Sequence, residues 1–157
     1  MTVMHEYNAT VTWSRNGAKF SDNQYSRRHE WRFDGGAVVN ASSAPSSVPL
    51  PFSDASAVDP EEALVASLSS CHMLFFLAFA GKKGWLIDTY SDKAVGIMEK
   101  NPDGKLAITR ITLRPEIRFA GAVPTAQDIE AVHHLSHEKC YIANSIKAEV
   151  EIQSAVV

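Results

Sequence analysis

The feature that most constrains the fold is a long apolar segment, 63–80, which follows an acidic entrance containing a proline. Asp59 can cap a helix, Pro60 suits the first helical position, and Glu62 completes a capping box with Asp59. The glycines that follow the segment are typical of helix ends. Apolar residues surround the second half of this helix on nearly all sides, so we expect it to be buried in a core or in an oligomer interface.

A membrane span is the main alternative for this segment, because its length approaches what a bilayer requires. Several serines and His72 interrupt it, however, and its entrance is acidic. We therefore predict a buried central helix and no membrane partner. The N-terminal residues lack the apolar run behind a basic start that marks a secretion signal, which predicts a cytoplasmic protein.

Composition and charge favour an ordinary globular domain. The chain has 157 residues, of which 45% are hydrophobic and 21% charged, and this predicts one domain over 1–157. The formal net charge of -3 is mild, and no basic stripe is present. We therefore expect no nucleic-acid partner, and we expect ligands that are small and uncharged.

The remaining elements alternate in the pattern of an α+β fold. Three short strands form a predicted antiparallel meander, and a proline- and serine-rich irregular connection, 42–58, precedes the central helix. Beyond the helix we predict two long strands joined by a hairpin, a second helix and a closing strand. A phase slip near Arg110 indicates a β-bulge. The predicted ranges are 6–13, 30–33, 37–41, 85–99, 105–119, 126–137 (helix) and 147–153.

The two cysteines, Cys71 and Cys140, are the candidate reactive groups. In a reducing compartment a cysteine pair is more often redox-active or metal-binding than a structural disulfide. Two unrelated buried thiols remain the alternative. Cys71 lies about 15 Å past the start of its helix, too far for the helix dipole to activate it. Burial raises a thiol pKa, so a reactive Cys71 needs a nearby cation.

The best source of that cation is the loop 25–29, which contains Arg27 and Arg28. An arginine stays charged when it loses water and offers a rigid fork of donors. Glu61 is the candidate counter-ion, with Glu62 as the alternate. Because Glu61 and Cys71 lie about 15 Å apart along one helix, two central helices packed antiparallel across a two-fold axis would bring them together better than one chain. This predicts a homodimer.

Two segments of the chain resemble the OsmC/Ohr family. Asp-Pro-Glu-Glu at 59–62 followed by Ser-Ser-Cys at 69–71 looks like the family's central-helix motif. His-Glu-Lys-Cys-Tyr-Ile-Ala-Asn-Ser at 137–145 resembles its second cysteine segment. The order of predicted elements is similar over nearly the whole chain. The resemblance implies an OsmC-like fold, with antiparallel sheets around a long central helix, in an intertwined homodimer.

The same resemblance implies a thiol-dependent peroxidase that reduces organic hydroperoxides. Cys71 would be the peroxidatic cysteine, Cys140 the resolving cysteine, and Glu61 would hold the catalytic arginine, for which we favour Arg27. No bound cofactor is implied; an external dithiol, of lipoyl type, would restore the thiols. An apolar pocket for the substrate is expected from the large side chains near Cys71 in sequence: Met73, Phe75, Phe76 and Trp85.

Two other functions stay open at this point. If the second helix continued, His133, His137 and Cys140 would lie on one face, with His134 beside them. Zinc accepts nitrogen and sulfur ligands of this kind. We nevertheless predict no metal site, because no CxxC or HExxH motif accompanies them. The other alternative is a non-catalytic module that binds small apolar ligands and whose cysteines are idle.

Overall fold

The structure is a computed structural model that describes residues 2–157, and the chain folds into two compact units, Met1–Ala63 and Leu64–Val157. In the first unit three strands pair antiparallel in the order β1-β2-β3, which confirms the predicted meander. The first strand is shorter than predicted. The strands are β1 Ala9–Thr12, β2 His29–Phe33 and β3 Val38–Ala41.

The long helix α1, Pro60–Lys82, begins with the predicted capping box. The Glu62 amide donates to Asp59 Oδ1 at 2.8 Å, and the Asp59 amide donates to Glu62 Oε1 at 2.9 Å. These two bonds satisfy two of the backbone donors that a helix start leaves free. The irregular connection before the helix is also as predicted, apart from a single bridge between Ala41 and Val58.

The end of α1 is a Schellman motif built on a glycine. Gly84 has φ +76°, the Trp85 amide donates to the Ala80 carbonyl at 3.0 Å, and the Gly84 amide donates to the Gly81 carbonyl at 3.0 Å. A left-handed residue at this position suits glycine, which has no Cβ to clash. The helix therefore stops where the glycines predicted.

Six strands and a second helix follow in the Leu64–Val157 unit. The strands form two three-stranded sheets, β4-β7-β9 and β5-β6-β8. The helix α2 lies between β7 and β8 in sequence, and a short 3-10 helix, Ala143–Ser145, follows it. The ranges are β4 Ile87–Asp92, β5 Val95–Lys100, β6 Leu106–Leu113, β7 Pro115–Phe119, α2 Ala126–Lys139, β8 Glu149–Ile152 and β9 Ala155–Val156.

The predictions of single strands over 85–99 and 105–119 were wrong in one respect: each region forms two strands that belong to different sheets. The strand predicted over 147–153 is confirmed as β8, and β9, which joins the other sheet, follows beyond that range. The chain crosses from one sheet to the other at the same level each time. Pro115 opens β7 and has no amide hydrogen for a continuous ladder. The Arg114 amide donates instead to Asp92 Oδ1 at 2.6 Å, which joins two of the crossing points.

The prediction of antiparallel sheets needs a second correction, because β6 pairs with β8 and β7 pairs with β9 in parallel. The chain between β7 and β8 includes α2, and such a crossover connection is what parallel neighbours require. Both sheets of this unit are therefore mixed. The bulge predicted near Arg110 is confirmed: Ile97 pairs with Arg110 and Met98 with Ile108, which leaves Thr109 as the extra residue.

Only one face of α1 is buried within the chain. Leu68, His72, Phe76 and Ala80 recur every four residues and are buried. The opposite stripe is exposed and consists of small or apolar residues: Ser67, Ser70, Leu74, Ala78 and Gly81. By length and composition α1 could cross a membrane, and 22% of its most apolar window is buried. Burial on all sides is therefore not found in the single chain, and burial of the exposed stripe in an oligomer interface stays a prediction.

Candidate active site

The two cysteines meet in one apolar cluster of the Leu64–Val157 unit. Cys140 is fully buried among Leu68, Ile111 and Leu113, and Cys71 packs against the same cluster while remaining half-buried. Both are free thiols. The sequence prediction that brought these two residues together from opposite parts of the chain therefore agrees with their placement in one cluster.

Cys140 is held by the turn that ends α2. Its amide donates to the His137 carbonyl at 3.3 Å, and its carbonyl accepts from the Asn144 amide at 3.0 Å. The Asn144 side chain also donates to the Glu138 carbonyl at 3.0 Å. The Cys140 backbone has left helical geometry, with ψ 114°, so its side chain turns into the apolar cluster instead of following the helix.

Burial raises the pKa of the Cys140 thiol to about 11. The Ala143 amide, which donates to its sulfur at 3.4 Å, opposes this shift, and the neighbouring Cys71 thiol adds to it. Cys140 is thus a protonated thiol at neutral pH. Because Cys140 is also inaccessible to solvent, Cys71 is the cysteine that a solute can reach first.

Cys71 opens into a cavity of about 260 Å³ that it lines with Leu74, Phe75, Ala78 and Tyr141. The Tyr141 ring stands edge-on to Phe75, with the ring centroids 5.1 Å apart. Three of these residues follow Cys71 by three, four and seven positions, so they share its face of α1. Such a cavity can hold an apolar group beside the Cys71 sulfur.

Of the four predicted pocket residues, Phe75 alone lines this cavity. Phe76 and Trp85 belong to a second apolar cluster around Ile117 and Val132. Met73 is half-buried and does not line the cavity. The physical reason is helical spacing: Met73 and Phe76, two and five residues past Cys71, point more than 90° away from it. The same spacing could have identified Leu74 and Ala78, whereas Tyr141 had no comparable signal.

Arg27 lies in the Met1–Ala63 unit, where its own loop holds it. Its guanidinium lies 3.9 Å from the centroid of the Tyr25 ring. It donates to the backbone carbonyls of Asn23 at 2.9 Å and Tyr25 at 2.5 Å, and to Asn23 Oδ1 at 2.7 Å. It also lines a cavity of about 330 Å³ with Trp13 and His29. Among residues 2–157 it forms no ion pair, so its positive charge is not neutralised.

Arg28 differs from its neighbour because it has a carboxylate partner. Its Nε donates to Asp54 Oδ2 at 3.0 Å. Hydrogen bonds from the Ser56 hydroxyl and amide lower the pKa of Asp54, and Arg28 lowers it further. Glu61 is half-buried in the first turn of α1, and Glu62 is exposed and engaged in the capping box.

The proposed zinc ligands do not converge. Among residues 2–157, no group of three His, Cys, Asp or Glu side chains is arranged to hold a metal ion. Cys140 leaves the face it would share with His133 and His137, because α2 ends at Lys139. His133 instead contacts His72: His72 Nε2 and His133 Nδ1 are 3.0 Å apart, and both rings are buried.

This histidine pair is uncharged at neutral pH. Burial lowers the pKa of His72 to about 4, His137 lowers it further, and Asp92 opposes the shift. Burial also lowers the pKa of His133 to about 4, with a smaller contribution from His72. Two neutral imidazoles can share one N–H···N hydrogen bond, since each ring has one donor and one acceptor.

Comparison with known proteins gives one family and a set of similar folds. The family model described as OsmC-like protein matches residues 53–155. An OsmC-like protein of unknown function from Vibrio cholerae is 51% identical, with a TM-score of 0.93, and the match covers 98% of this chain and 100% of that one. No curated protein matches the sequence.

Two more distant structures share the fold. An organic hydroperoxide resistance protein OsmC from Legionella pneumophila is 15% identical with a TM-score of 0.64, covering 99% of this chain and 98% of that one. An organic hydroperoxide resistance protein from Elizabethkingia anophelis is 13% identical with a TM-score of 0.68, and the coverage is again 99% and 98%. At these identities the likeness extends to the fold alone.

We predict that the free energy of unfolding falls as the pH is lowered from about 6.5 to about 4, and His72 and His133 cause part of this loss. Each has an ordinary pKa of 6.5 and a folded-state pKa of about 4, so in this window the unfolded chain binds protons that the folded chain does not. Each imidazole contributes a slope of up to about 1.4 kcal/mol per pH unit, and none above its unfolded pKa.

Urea denaturation at several pH values, followed by circular dichroism, measures this slope. The His72→Gln/His133→Asn double variant is the matched control, because its amides replace the two ring nitrogens without titrating. We expect a flatter pH dependence in the double variant. Equal slopes in the two proteins would contradict the assignment.

Proposed function

We propose that this chain, which belongs to the OsmC-like protein family, is a thiol peroxidase that reduces organic hydroperoxides with Cys71 and Cys140. The observation that carries the proposal is the unequal exposure of two neighbouring thiols. Cys71 faces an apolar cavity, while Cys140 is sealed behind it in the same cluster. This is the arrangement needed for one cysteine to meet a peroxide and the other to resolve the product.

The proposed reaction begins at Cys71 and ends with a disulfide to Cys140. The Cys71 thiolate attacks the distal oxygen of the hydroperoxide, the O–O bond breaks, and the alkoxide takes a proton and leaves as an alcohol. Cys71 is then a sulfenic acid. The Cys140 sulfur attacks the Cys71 sulfur, loses its proton, and releases the hydroxyl group as water. An external dithiol reduces the resulting disulfide by two successive exchanges and is itself oxidised.

The environment of each thiol supports this division of roles. The raised pKa of Cys140 keeps it protonated and unreactive toward peroxide until Cys71 has been oxidised. A sulfenic acid is a much better electrophile than a thiol, and it would form within the same apolar cluster. Cys140 needs no access to solvent for this step, which is consistent with its complete burial.

The cavity beside Cys71 favours substrates that carry an apolar group. Leu74, Phe75 and Ala78 offer hydrocarbon surface, and the Tyr141 ring adds an aromatic wall. Burying an alkyl chain there contributes roughly 0.8 kcal/mol for each methylene removed from water. Hydrogen peroxide has no such group, so we propose alkyl or fatty-acid hydroperoxides as substrates.

We propose Arg27 as the cation that activates Cys71, and Glu61 as the carboxylate that orients it. Arg27 retains its full charge because its partners are carbonyl and amide oxygens and an aromatic ring. Arg28 is already paired with Asp54. Glu61 makes no ion pair among the described residues and is half-buried, which leaves its carboxylate available to an arginine.

A second copy of the chain is the proposed cover for the exposed stripe on α1. That stripe holds small and apolar residues such as Ser70, Leu74 and Ala78, which allow two helices to pack closely. If this face stays in water, the chain loses the favourable free energy that burying its apolar surface would contribute. A homodimer would also close the open side of the Cys71 cavity, since Leu74 and Ala78 line both.

The reductant and the compartment complete the proposal. Two free cysteines that cycle through a disulfide need a supply of dithiol, and we propose a lipoyl-type dithiol with no bound cofactor. A cytoplasmic location suits this cycle, because the reducing pool there keeps both cysteines as thiols between turnovers.

We expect replacement of Cys71 by serine to abolish consumption of cumene hydroperoxide, because a hydroxyl at this position does not attack a peroxide. Cys140→Ser should still react once, leaving a sulfenic acid at Cys71, and then fail to turn over with a dithiol. Peroxide loss in the presence of dihydrolipoamide measures both. If wild type and Cys71→Ser consume peroxide equally slowly, the chain is no peroxidase, and an apolar-ligand binding module becomes the better reading.

Replacement of Arg27 by glutamine should slow formation of the Cys71 sulfenic acid by about a hundredfold, the scale of losing one charge-stabilising group. Arg28→Gln is the matched control on the adjacent residue and should change the rate by less than about threefold, since the Arg28 guanidinium is already paired with Asp54 and such ion pairs near the surface contribute little. Trapping of the sulfenic acid with dimedone at short times gives the rate. The reverse ranking of the two variants would transfer the role to Arg28.

Sedimentation velocity at micromolar concentration should give a mass near twice the 17.2 kDa of the chain. The reason is the uncovered apolar stripe on α1, which a monomer would leave in water. Peroxidase activity should fall when dilution produces monomer. A monomer that retains full activity would contradict both the dimer and the proposal that the site depends on it.

A further inference from the structure

The proposed reaction uses two cysteines that lie on different helices, and the same two helices share one buried hydrogen bond. Cys71 and His72 are consecutive on α1. His133 lies on α2, and Cys140 caps the C-terminal end of that helix. An interaction that limits how α1 and α2 move relative to each other therefore also limits how the two sulfurs move relative to each other.

The bond between His72 and His133 has well-defined geometry. His72 Nε2 and His133 Nδ1 are 3.0 Å apart, within normal hydrogen-bond distance. The two rings are nearly parallel, with an interplanar angle of 6° and centroids 5.3 Å apart. Phe76 packs against the His133 ring at 4.2 Å between centroids. The pair is therefore directional and is held from the side by an aromatic ring.

Neither histidine has another hydrogen-bond partner among residues 2–157. His72 Nδ1 and His133 Nε2 are buried with no partner, and the two residues are 0% and 3% exposed. A buried polar group that loses its only bond is costly, because water cannot replace it. The N–H···N bond is thus the one hydrogen bond that each imidazole forms within residues 2–157. Breaking it would remove a directional restraint between the two helices.

The charged and titratable groups around the pair are few. Asp92 on β4 raises the pKa of His72, and His137 on α2 lowers it. Tyr90 lies on the same strand as Asp92. Asp92 is itself engaged, because its Oδ2 accepts from the Ser69 hydroxyl at 2.5 Å and its Oδ1 accepts from the Arg114 amide.

We propose that His72 and His133 are positioning residues that hold Cys140 in line for attack on oxidised Cys71. This inference rests on the disulfide step of the proposed function. Among residues 2–157 the two rings form hydrogen bonds only with each other, so neither donates to a sulfur. It acts by limiting the relative motion of α1 and α2, so it should affect condensation of the two sulfurs and leave the earlier reaction of Cys71 with peroxide unchanged.

The test measures the effective concentration of one thiol toward the other, by equilibrating the protein with reduced and oxidised glutathione. This readout needs no peroxide. His133→Leu removes the bond, and His133→Asn retains a polar atom near the position of Nδ1. Val132→Ala is the matched control: Val132 is a buried neighbour on α2, so the change loosens packing but keeps the histidine pair. If either variant fails to fold by circular dichroism, His72→Leu replaces His133→Leu and His72→Gln, whose amide can reach the position of Nε2, replaces His133→Asn.

We expect His133→Leu to lower the effective concentration by about tenfold, since a shift of about 1 Å between reacting groups can cost up to a hundredfold. His133→Asn should restore it to within about threefold of wild type, and Val132→Ala should leave it there too. With hydroperoxide, His133→Leu should form the Cys71 sulfenic acid at the wild-type rate and convert it to disulfide about tenfold more slowly, the same estimate.

Three results would overturn the inference: an unchanged effective concentration in His133→Leu, an equal loss in His133→Asn, or an equal loss in Val132→Ala. Failure of the peroxidase proposal looks different. In that case wild type forms no sulfenic acid with any hydroperoxide, while the glutathione equilibrium still separates His133→Leu from His133→Asn.

Discussion

The geometry of the candidate site depends on the helical period of α1. Residues four apart, from Leu68 through His72 and Phe76 to Ala80, turn one face of the helix into the core. Cys71 lies at the edge of that face, where one side of its thiol meets the buried cluster and the other meets the cavity. Ser70, one residue earlier, is exposed, and His72, one residue later, is fully buried.

The sheets support this helix through a small number of polar connections. Asp92 lies where the chain passes from β4 to β5, and it accepts from the Ser69 hydroxyl on α1 and from the Arg114 amide. Gly96 on β5 approaches α1 so closely that an added Cβ would lie 2.6 Å from Val65 Cγ2. One carboxylate and one close approach at a glycine thus add to the apolar clusters in positioning the helix that carries Cys71 against the strands.

Local sequence signals predicted the parts of the fold that local interactions decide. The capping box at Asp59 and Glu62, the start of α2 at Ala126 and the bulge near Arg110 all depend on neighbouring residues. No local signal marked the points where the chain passes from one sheet to the other, between β4 and β5 and between β6 and β7. A continuous apolar alternation looks the same whether the strand stays in one sheet or bends into another, and the pairing partner decides which occurs.

The candidate site shows the same division. Cys71 and Cys140 could be singled out from residue type and family resemblance, and helical spacing contains the information for Leu74 and Ala78. The contact of Tyr141 with Phe75 and that of His133 with His72 join residues distant in sequence. Only the packing of α2 against α1 creates them. His133 carried a metal-ligand interpretation in the sequence because a histidine's partner cannot be read from its position alone.

Mass spectrometry after treatment with one equivalent of cumene hydroperoxide shows whether Cys71 and Cys140 of one chain form the proposed disulfide. Each chain should lose two hydrogens, and proteolysis should yield a single cross-linked species that joins the peptides of Cys71 and Cys140. Chains with both thiols intact, or cross-links that join Cys71 of two chains, would contradict the pairing of an exposed cysteine with a buried one inside the same cluster.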